Sequence, residues 1–302
     1  MFDYIFDTNC FYAVSANKDR QKELKTFTPL PSTSIIAPLE ILKISDDADD
    51  FYKRKRAIDT LTAIGTRILS ESPDSIIRRA FDLPAITETI PIKTMIQALT
   101  LANSYNEATA GVNDFENNVV IKLHPAKIKE WKNDLSSYFT QAVVSGNKKM
   151  QSVFLDRLKE LHPDAKVRGL KKISKNLTAL SSEQLHSRNN AIAGLSVRAG
   201  LFTVQQLTDA LRYNEMEELI QNAVARYNGL VDSYISMYLA FQKKMSDGRT
   251  PERNTLFDLE FFTHLDTEGV NYTFVTTEDL WLELGEQALP NRIVHLDTLF
   301  ND

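Results

Sequence analysis

Short apolar strand signals occur only near the two ends of this chain, and that placement limits the fold more than any other feature. "YIF" (4–6) and "TSIIA" (33–37) stand near the start, and "YTFVT" (272–276) and "RIVHL" (292–296) near the end. Each is apolar, β-branched or aromatic, and each is separated from the next by helical periodicity. That alternation is the βαβ rhythm of a parallel sheet. Between about 46 and 246 the pattern reads as helix throughout.

The helix signals are explicit. Ser45 and the aspartates at 46, 47, 49 and 50 precede "FYKRKRAIDTLTAIGTRIL", where Phe51, Ile58 and Leu61 recur at helical spacing. Acid first and base later suits the helix dipole. "SPDS" (72–75) offers a serine cap with Pro73 at the first helical position. "SSEQ" (181–184) and "TVQQ" (203–206) match a capping box, and Gly200 stands where a helix would end. Leu230, Tyr234, Met237, Phe241 and Met245 form a core-facing stripe, and "MSDGRTPERN" (245–254) reads as the hinge back into the α/β part.

At 302 residues, with 43% hydrophobic and 25% charged residues, the chain can bury a sizeable core as one elaborated domain or two. Its one cysteine, Cys10, allows no internal disulfide, which suits a reducing cytoplasm. Asp3 and Asp7 lie where a secretory signal would carry positive charge, and no apolar run is long enough to span a membrane. Histidines at 124, 162, 186, 264 and 295 have no metal-ligand spacing, which argues against zinc chemistry.

The charge is unevenly spread. From 250 to 302 eleven acidic residues face two basic ones, while from 120 to 200 fifteen Lys and Arg face six Asp and Glu. An acidic chemical centre and a separate basic surface follow as expectations. The sharpest basic piece is "AKVRGLKKISKNLTAL" (165–180). On a helix, Leu170, Ile173, Leu177 and Leu180 share one arc, and Arg168, Lys171, Lys172 and Lys175 share the opposite one. A solvated face is the plain reading; a nucleic-acid surface is the functional one.

The acids can then be placed. Asp7 ends the first strand. "PLEIL" follows the second, with Pro38 at a helix start and Glu40 in the first turn. "NTLFDLEFFTHL" reads as an amphipathic helix with Asp258 in its first turn, and "YTFVTTEDLW" places Glu278 and Asp279 after the fourth strand. The carboxyl ends of parallel strands share one edge, so these acids are expected to converge on one crevice. Two carboxylates ~4 Å apart repel by ~1 kcal/mol in water and ~4 kcal/mol at an effective dielectric of 20. Such a cluster needs protons or a cation, and all-oxygen ligands suit Mg²⁺ or Mn²⁺. A divalent ion over an open crevice is apparatus for hydrolysing phosphodiesters. Taken singly, each acid could instead only cap its own helix.

"FDTN" (6–9), "APLEI" (37–41), "LFDLEFF" (256–262) and "FVTTEDLW" (274–281) together resemble the four motifs of PIN-domain nucleases. The resemblance covers residues 1 to about 64 and about 248 to 302. Residues 65 to 247 have no counterpart in a minimal domain of that family and read as a large all-helical insertion, either a lid over the crevice or a separate RNA-binding domain. The resemblance implies a three-layer α/β/α PIN-like domain with a mostly parallel sheet. It implies an Mg²⁺- or Mn²⁺-dependent endoribonuclease, with Asp7, Glu40 and Asp258 as metal-binding acids supported by Thr8 and Asn9. The family's Thr-x-Asp fits Glu278 when counted from Thr276 and Asp279 when counted from Thr277; a strand ending at Thr276 favours Glu278. Single-stranded RNA is the implied partner, an inhibitor protein is left open, and no membrane is involved. Two alternatives stand beside it: a PIN-like scaffold that binds RNA or protein without cutting, and a haloacid dehalogenase-like phosphatase. "YIFDTN" resembles the latter's first motif, with Asn9 where the second aspartate would stand.

Overall fold

The computed structural model describes residues 3–42, 48–86, 92–104, 106–108, 152–156, 159, 172–173, 175–176, 187–246 and 258–300. The chain divides into two compact units. One comprises Met1–Pro73, Thr87–His124 and Glu252–Asp302; the other comprises Asp74–Ile86 and Pro125–Pro251.

The first unit is built on five parallel strands, β1 (Asp3–Phe6), β2 (Ser32–Ser34), β3 (Arg67–Leu69), β4 (Tyr272–Thr276) and β5 (Ile293–His295), with helices α1 (Thr8–Ser15) and α2 (Lys18–Leu24) between β1 and β2 and helices α3 (Ile36–Ile41) and α4 (Ala48–Ile64) between β2 and β3. Their order is β3-β2-β1-β4-β5. β1 is central, pairing Phe6 with Thr33 on one side and with Val275 on the other. The chain runs outward through β2 and β3, then returns to the far side of β1 for β4 and β5. A reversal of this kind opens a crevice at the carboxyl ends of the strands beside the central one. Central parallel strands are covered on both faces, which is why all five residues of β4 are buried and read as a continuous apolar-aromatic run.

Two expectations are corrected here. "RIL" (67–69) is a strand, not the end of the preceding helix. Helix α4 (Ala48–Ile64) stops at Gly65, whose φ of +78° is a left-handed turn that glycine adopts without strain, and β3 then pairs with β2. The sheet unit therefore extends past the boundary drawn at residue 64. It also takes in the helix Ile92–Leu101, whose Ile92, Met95, Ile96 and Leu99 are buried and against which Lys55 of α4 donates to the Leu99 carbonyl at 3.4 Å. The second strand is also shorter than "TSIIA". It ends at Ser34, whose hydroxyl accepts from the Ile36 amide at 3.2 Å, and helix α3 (Ile36–Ile41) begins there.

The core on this sheet is aromatic. Phe262 packs on Phe274 at 4.7 Å between ring centroids and on Trp281 at 5.4 Å. Arg292 ties the preceding turn to the sheet: it pairs with Asp266 at 2.7 Å and donates to the carbonyls of Leu265 (2.8 Å) and Tyr272 (3.1 Å). "DLEFFTHL" is not an amphipathic α-helix. Leu259–His264 is a 3₁₀ turn in which Leu259, Phe261, Phe262, Thr263 and His264 are buried and Glu260 alone is partly exposed.

The second unit is helical in its described residues, with helices Arg188–Arg198, Val204–Tyr213, Met216–Arg226 and Asp232–Ser246. Several sequence signals are realised. Thr203 and Gln206 form the reciprocal capping box, Gly200 (φ +74°) follows the first of these helices, and Tyr234, Met237 and Phe241 are buried. "SSEQ" and the hinge residues 247–254 lie outside the described residues. Among the described residues, no helix is long and apolar enough to cross a membrane.

Candidate functional site

One pocket in the sheet unit is lined by Asp7, Thr8, Asn9, Glu40, Asp258, Phe261, Phe274, Glu278 and Trp281. It lies at the carboxyl ends of β1 and β4, beside the reversal in strand order. Four of the five acids singled out from the sequence are in it, and Asp279 is not.

Asp7 follows β1 directly. Its backbone amide donates to the Val275 carbonyl at 3.1 Å, which locks the β1 end to β4, and its side chain caps helix α1 (Thr8–Ser15) by accepting from the Cys10 amide at 2.9 Å. Its second oxygen accepts from the Thr276 hydroxyl at the end of β4. Asp7 is 6% exposed, and burial raises its pKa; the Thr276 and Cys10 hydrogen bonds oppose that shift. Thr8 donates to Glu40 and Asn9 donates to Glu278, so the first turn of α1 engages two further acids.

Glu40 lies near the end of α3, which starts at Ile36, so it is not in a first turn. Asp258 reaches the pocket from the start of the 3₁₀ turn that precedes β4, not from a strand-to-helix junction. Glu278 is two residues past Thr276, whose hydroxyl accepts from the Glu278 amide at 3.0 Å. Burial raises the Glu278 pKa, the Asp7 charge raises it further, and hydrogen bonds from Trp281 and Asn9 oppose the shift. Asp279 is exposed and opens the helix Asp279–Ala288, where it faces the dipole.

The donor set is all oxygen, with four carboxylates around one pocket and two of them held above their usual pKa. That fits a hard cation such as Mg²⁺ or Mn²⁺ in kind. In the observed arrangement Asp7, Glu40 and Glu278 are engaged by Thr276, Thr8, and Asn9 and Trp281 respectively. No three His, Cys, Asp or Glu side chains among the described residues stand close enough to grip one ion.

Of the basic arc, Lys172 and Lys175 are exposed and helical in the second unit, with Ile173 buried between them; Arg168 and Lys171 lie outside the described residues. Sequence reasoning missed Tyr213, 53% exposed, with Lys172 at 5.8 Å and Arg212 at 5.3 Å from its ring centroid. It also missed Phe261 and Phe274 as pocket walls; both belong to apolar runs that read only as core.

The chain matches no protein-family profile, no curated protein and no solved structure.

Proposed function

We propose that this chain is a metal-dependent endonuclease of the PIN-like kind, with single-stranded RNA as its first substrate. The observation that carries this reading is the convergence of Asp7, Glu40, Asp258 and Glu278 on one pocket at the reversal in a parallel sheet. Fold alone assigns no chemistry, so the weight rests on the site. Like charges gathered in one pocket without a cation are costly, and a mere scaffold has no need of them.

Asp7, Glu40, Asp258 and Glu278 would hold Mg²⁺ or Mn²⁺, which lowers the pKa of a bound water and neutralises charge developing at a phosphodiester. The chain's own residues do the rest. Thr276 and the Cys10 amide orient the Asp7 carboxylate, Thr8 orients Glu40, and Asn9 and Trp281 orient Glu278. Phe261, Phe274 and Trp281 wall the pocket and limit water on its apolar side. In this reading Lys172 and Lys175, with Arg168 and Lys171, bind phosphates elsewhere along the strand, and the helical unit recognises RNA.

A non-cutting scaffold is favoured by one specific observation, the hydrogen bonds that already engage the carboxylates. Labelled single-stranded RNA incubated with the full chain in Mg²⁺ or Mn²⁺, beside a chelated control and Asp258→Asn, separates the two. Metal-dependent cleavage lost in Asp258→Asn supports the nuclease. RNA that is bound but uncut in either metal supports the scaffold, and phosphate release from a small monoester points to the phosphatase alternative.

A further inference from the structure

The pocket is acidic, and a polyanion approaching it needs a cation at the rim. Helix α1 marks where that rim lies. Thr8 reaches Glu40, and Tyr12 lies four residues further on, on the same helix face one turn away from the pocket. Tyr12 is half-buried. Burial raises its pKa, Arg54 lowers it, and Asp50 and Glu40 raise it, so its hydroxyl lies within electrostatic reach of the pocket's Glu40.

Of the four successive cations on α4, Lys53 to Arg56, the first three differ in what holds them. Arg54 pairs with Asp50 at 2.6 Å and donates to the Glu40 carbonyl at 2.6 Å, which fastens α4 to the end of α3. Lys55 faces Asp59 at 3.8 Å and the Leu99 carbonyl at 3.4 Å. Lys53 is exposed and pairs with no carboxylate among the described residues; its ammonium lies 4.9 Å from the centroid of the Tyr12 ring. A ring holds a cation without neutralising it, so the Lys53 charge stays available to an anion. Arg54 meanwhile keeps Asp50 occupied.

We propose that Lys53, seated on the Tyr12 ring, is a positioning residue that contacts a backbone phosphate of a single-stranded nucleic acid and directs the strand toward the Asp7–Glu278 pocket. The Tyr12 ring holds the ammonium one helical turn along α1 from the pocket residue Thr8, and a phosphate there would be flanked by the half-buried phenol. This rests on the nuclease reading, and the two can fail separately.

The test uses the full chain. In an Asp7→Asn background, affinity for a labelled single-stranded oligonucleotide is measured against salt. Lys53→Gln is expected to weaken binding across sequences and to flatten the log-log salt slope by ~0.7, the share of one phosphate contact on a single strand. Lys53→Arg is expected to restore most of both. Tyr12→Leu is expected to mimic Lys53→Gln, and Tyr12→Phe, which keeps the ring, is not. In the Asp7-intact chain, Lys53→Gln is expected to raise KM more than it lowers kcat. Arg56→Gln, an exposed cation on the same helix, serves as control. Unchanged affinity and slope in Lys53→Gln, or an equal effect from Arg56→Gln, overturns the proposal. A chain that binds RNA through Lys53 yet never cuts it leaves this inference standing and sinks the nuclease; cleavage indifferent to Lys53 does the reverse.

Discussion

Thr276 and Asp7, 269 residues apart in the chain, are joined by a hydrogen bond from the threonine hydroxyl to the aspartate carboxylate. It links the ends of the two neighbouring strands β4 and β1. The same hydroxyl accepts from the Glu278 amide at 3.0 Å, so one side chain orients two acids of the pocket. Thr276→Val keeps the β-branched shape and removes both bonds. It is expected to cut metal affinity or cleavage by ~10–100-fold, the usual effect of losing a residue that orients a ligand. Calorimetric metal titration beside an RNA cleavage assay checks this; parent-like values in both would refute the role.

Asp7 is expected to limit stability as well as support activity. Its folded pKa is raised, so the folded state holds the proton more tightly than the unfolded one. Stability from this group therefore falls as pH rises from the usual carboxylate value of 3.8 through the raised folded value. Asp7→Asn keeps the cap on α1 and removes the charge. It should melt higher than the parent at neutral pH, with the difference vanishing as pH falls below 3.8, while metal-dependent cleavage is lost. A chain of this size shifts ~2–4 °C per kcal/mol. Thermal melts at both pH values, with and without Mn²⁺, read this out, and Mn²⁺ should stabilise only the parent.

Glu278 and Asp279 are expected to separate cleanly. Glu278→Gln removes a pocket acid, whereas Asp279→Asn removes an exposed charge at a helix start. Cleavage is expected to fall at least ~10-fold in the first and little in the second. The reverse order in initial rates would make Asp279 the working acid.

His264 is buried with its Nε2 unpartnered, and burial lowers its pKa to about 3. The unfolded imidazole titrates near 6.5, so the stability of the neutral form is full above that value and is lost as pH falls from 6.5 toward 3. The direction is opposite to that of Asp7, so the comparison has to be made between variants. His264→Leu should lose less stability than the parent across this window in urea melts. Parallel curves would show that His264 does not titrate on unfolding.

Gly285 on the helix Asp279–Ala288 packs directly against β5. A Cβ there would come within 2.6 Å of Ile293 Cδ1 and 2.9 Å of Ile293 Cβ. Gly285→Ala gains helix propensity yet is expected to destabilise by ~1–3 kcal/mol through overpacking. A Tm at or above the parent's would mean that the helix can shift outward.

Much of the sheet was legible from local pattern. β4 matches "YTFVT" residue for residue, because a buried parallel strand reads as an unbroken apolar run, and β1 and β5, which are less buried, differ from their sequence signals by a residue or two. β3 was not legible. Three residues that follow a long helix without a break in apolar character offer no period, and only Gly65 marked the change. The order of the strands, with β4 returning beside β1, is a long-range pairing that no local signal encodes.

The same division runs through the site. Asp7 and Glu278 could be picked out because an acid at a strand's carboxyl end carries a positional meaning in a parallel sheet. That Thr8 would turn to Glu40, Asn9 to Glu278 and Thr276 to Asp7 could not be read, because side chains 32 and 269 positions apart meet only once the strands are paired. Sequence by itself determined which residues could carry charge to the strand edge, since periodicity and caps are local properties. Tertiary structure alone decided which of them share a pocket, how deeply each is buried and so how its pKa moves, and that Asp279 stays outside, since burial and proximity are set by the whole packed chain.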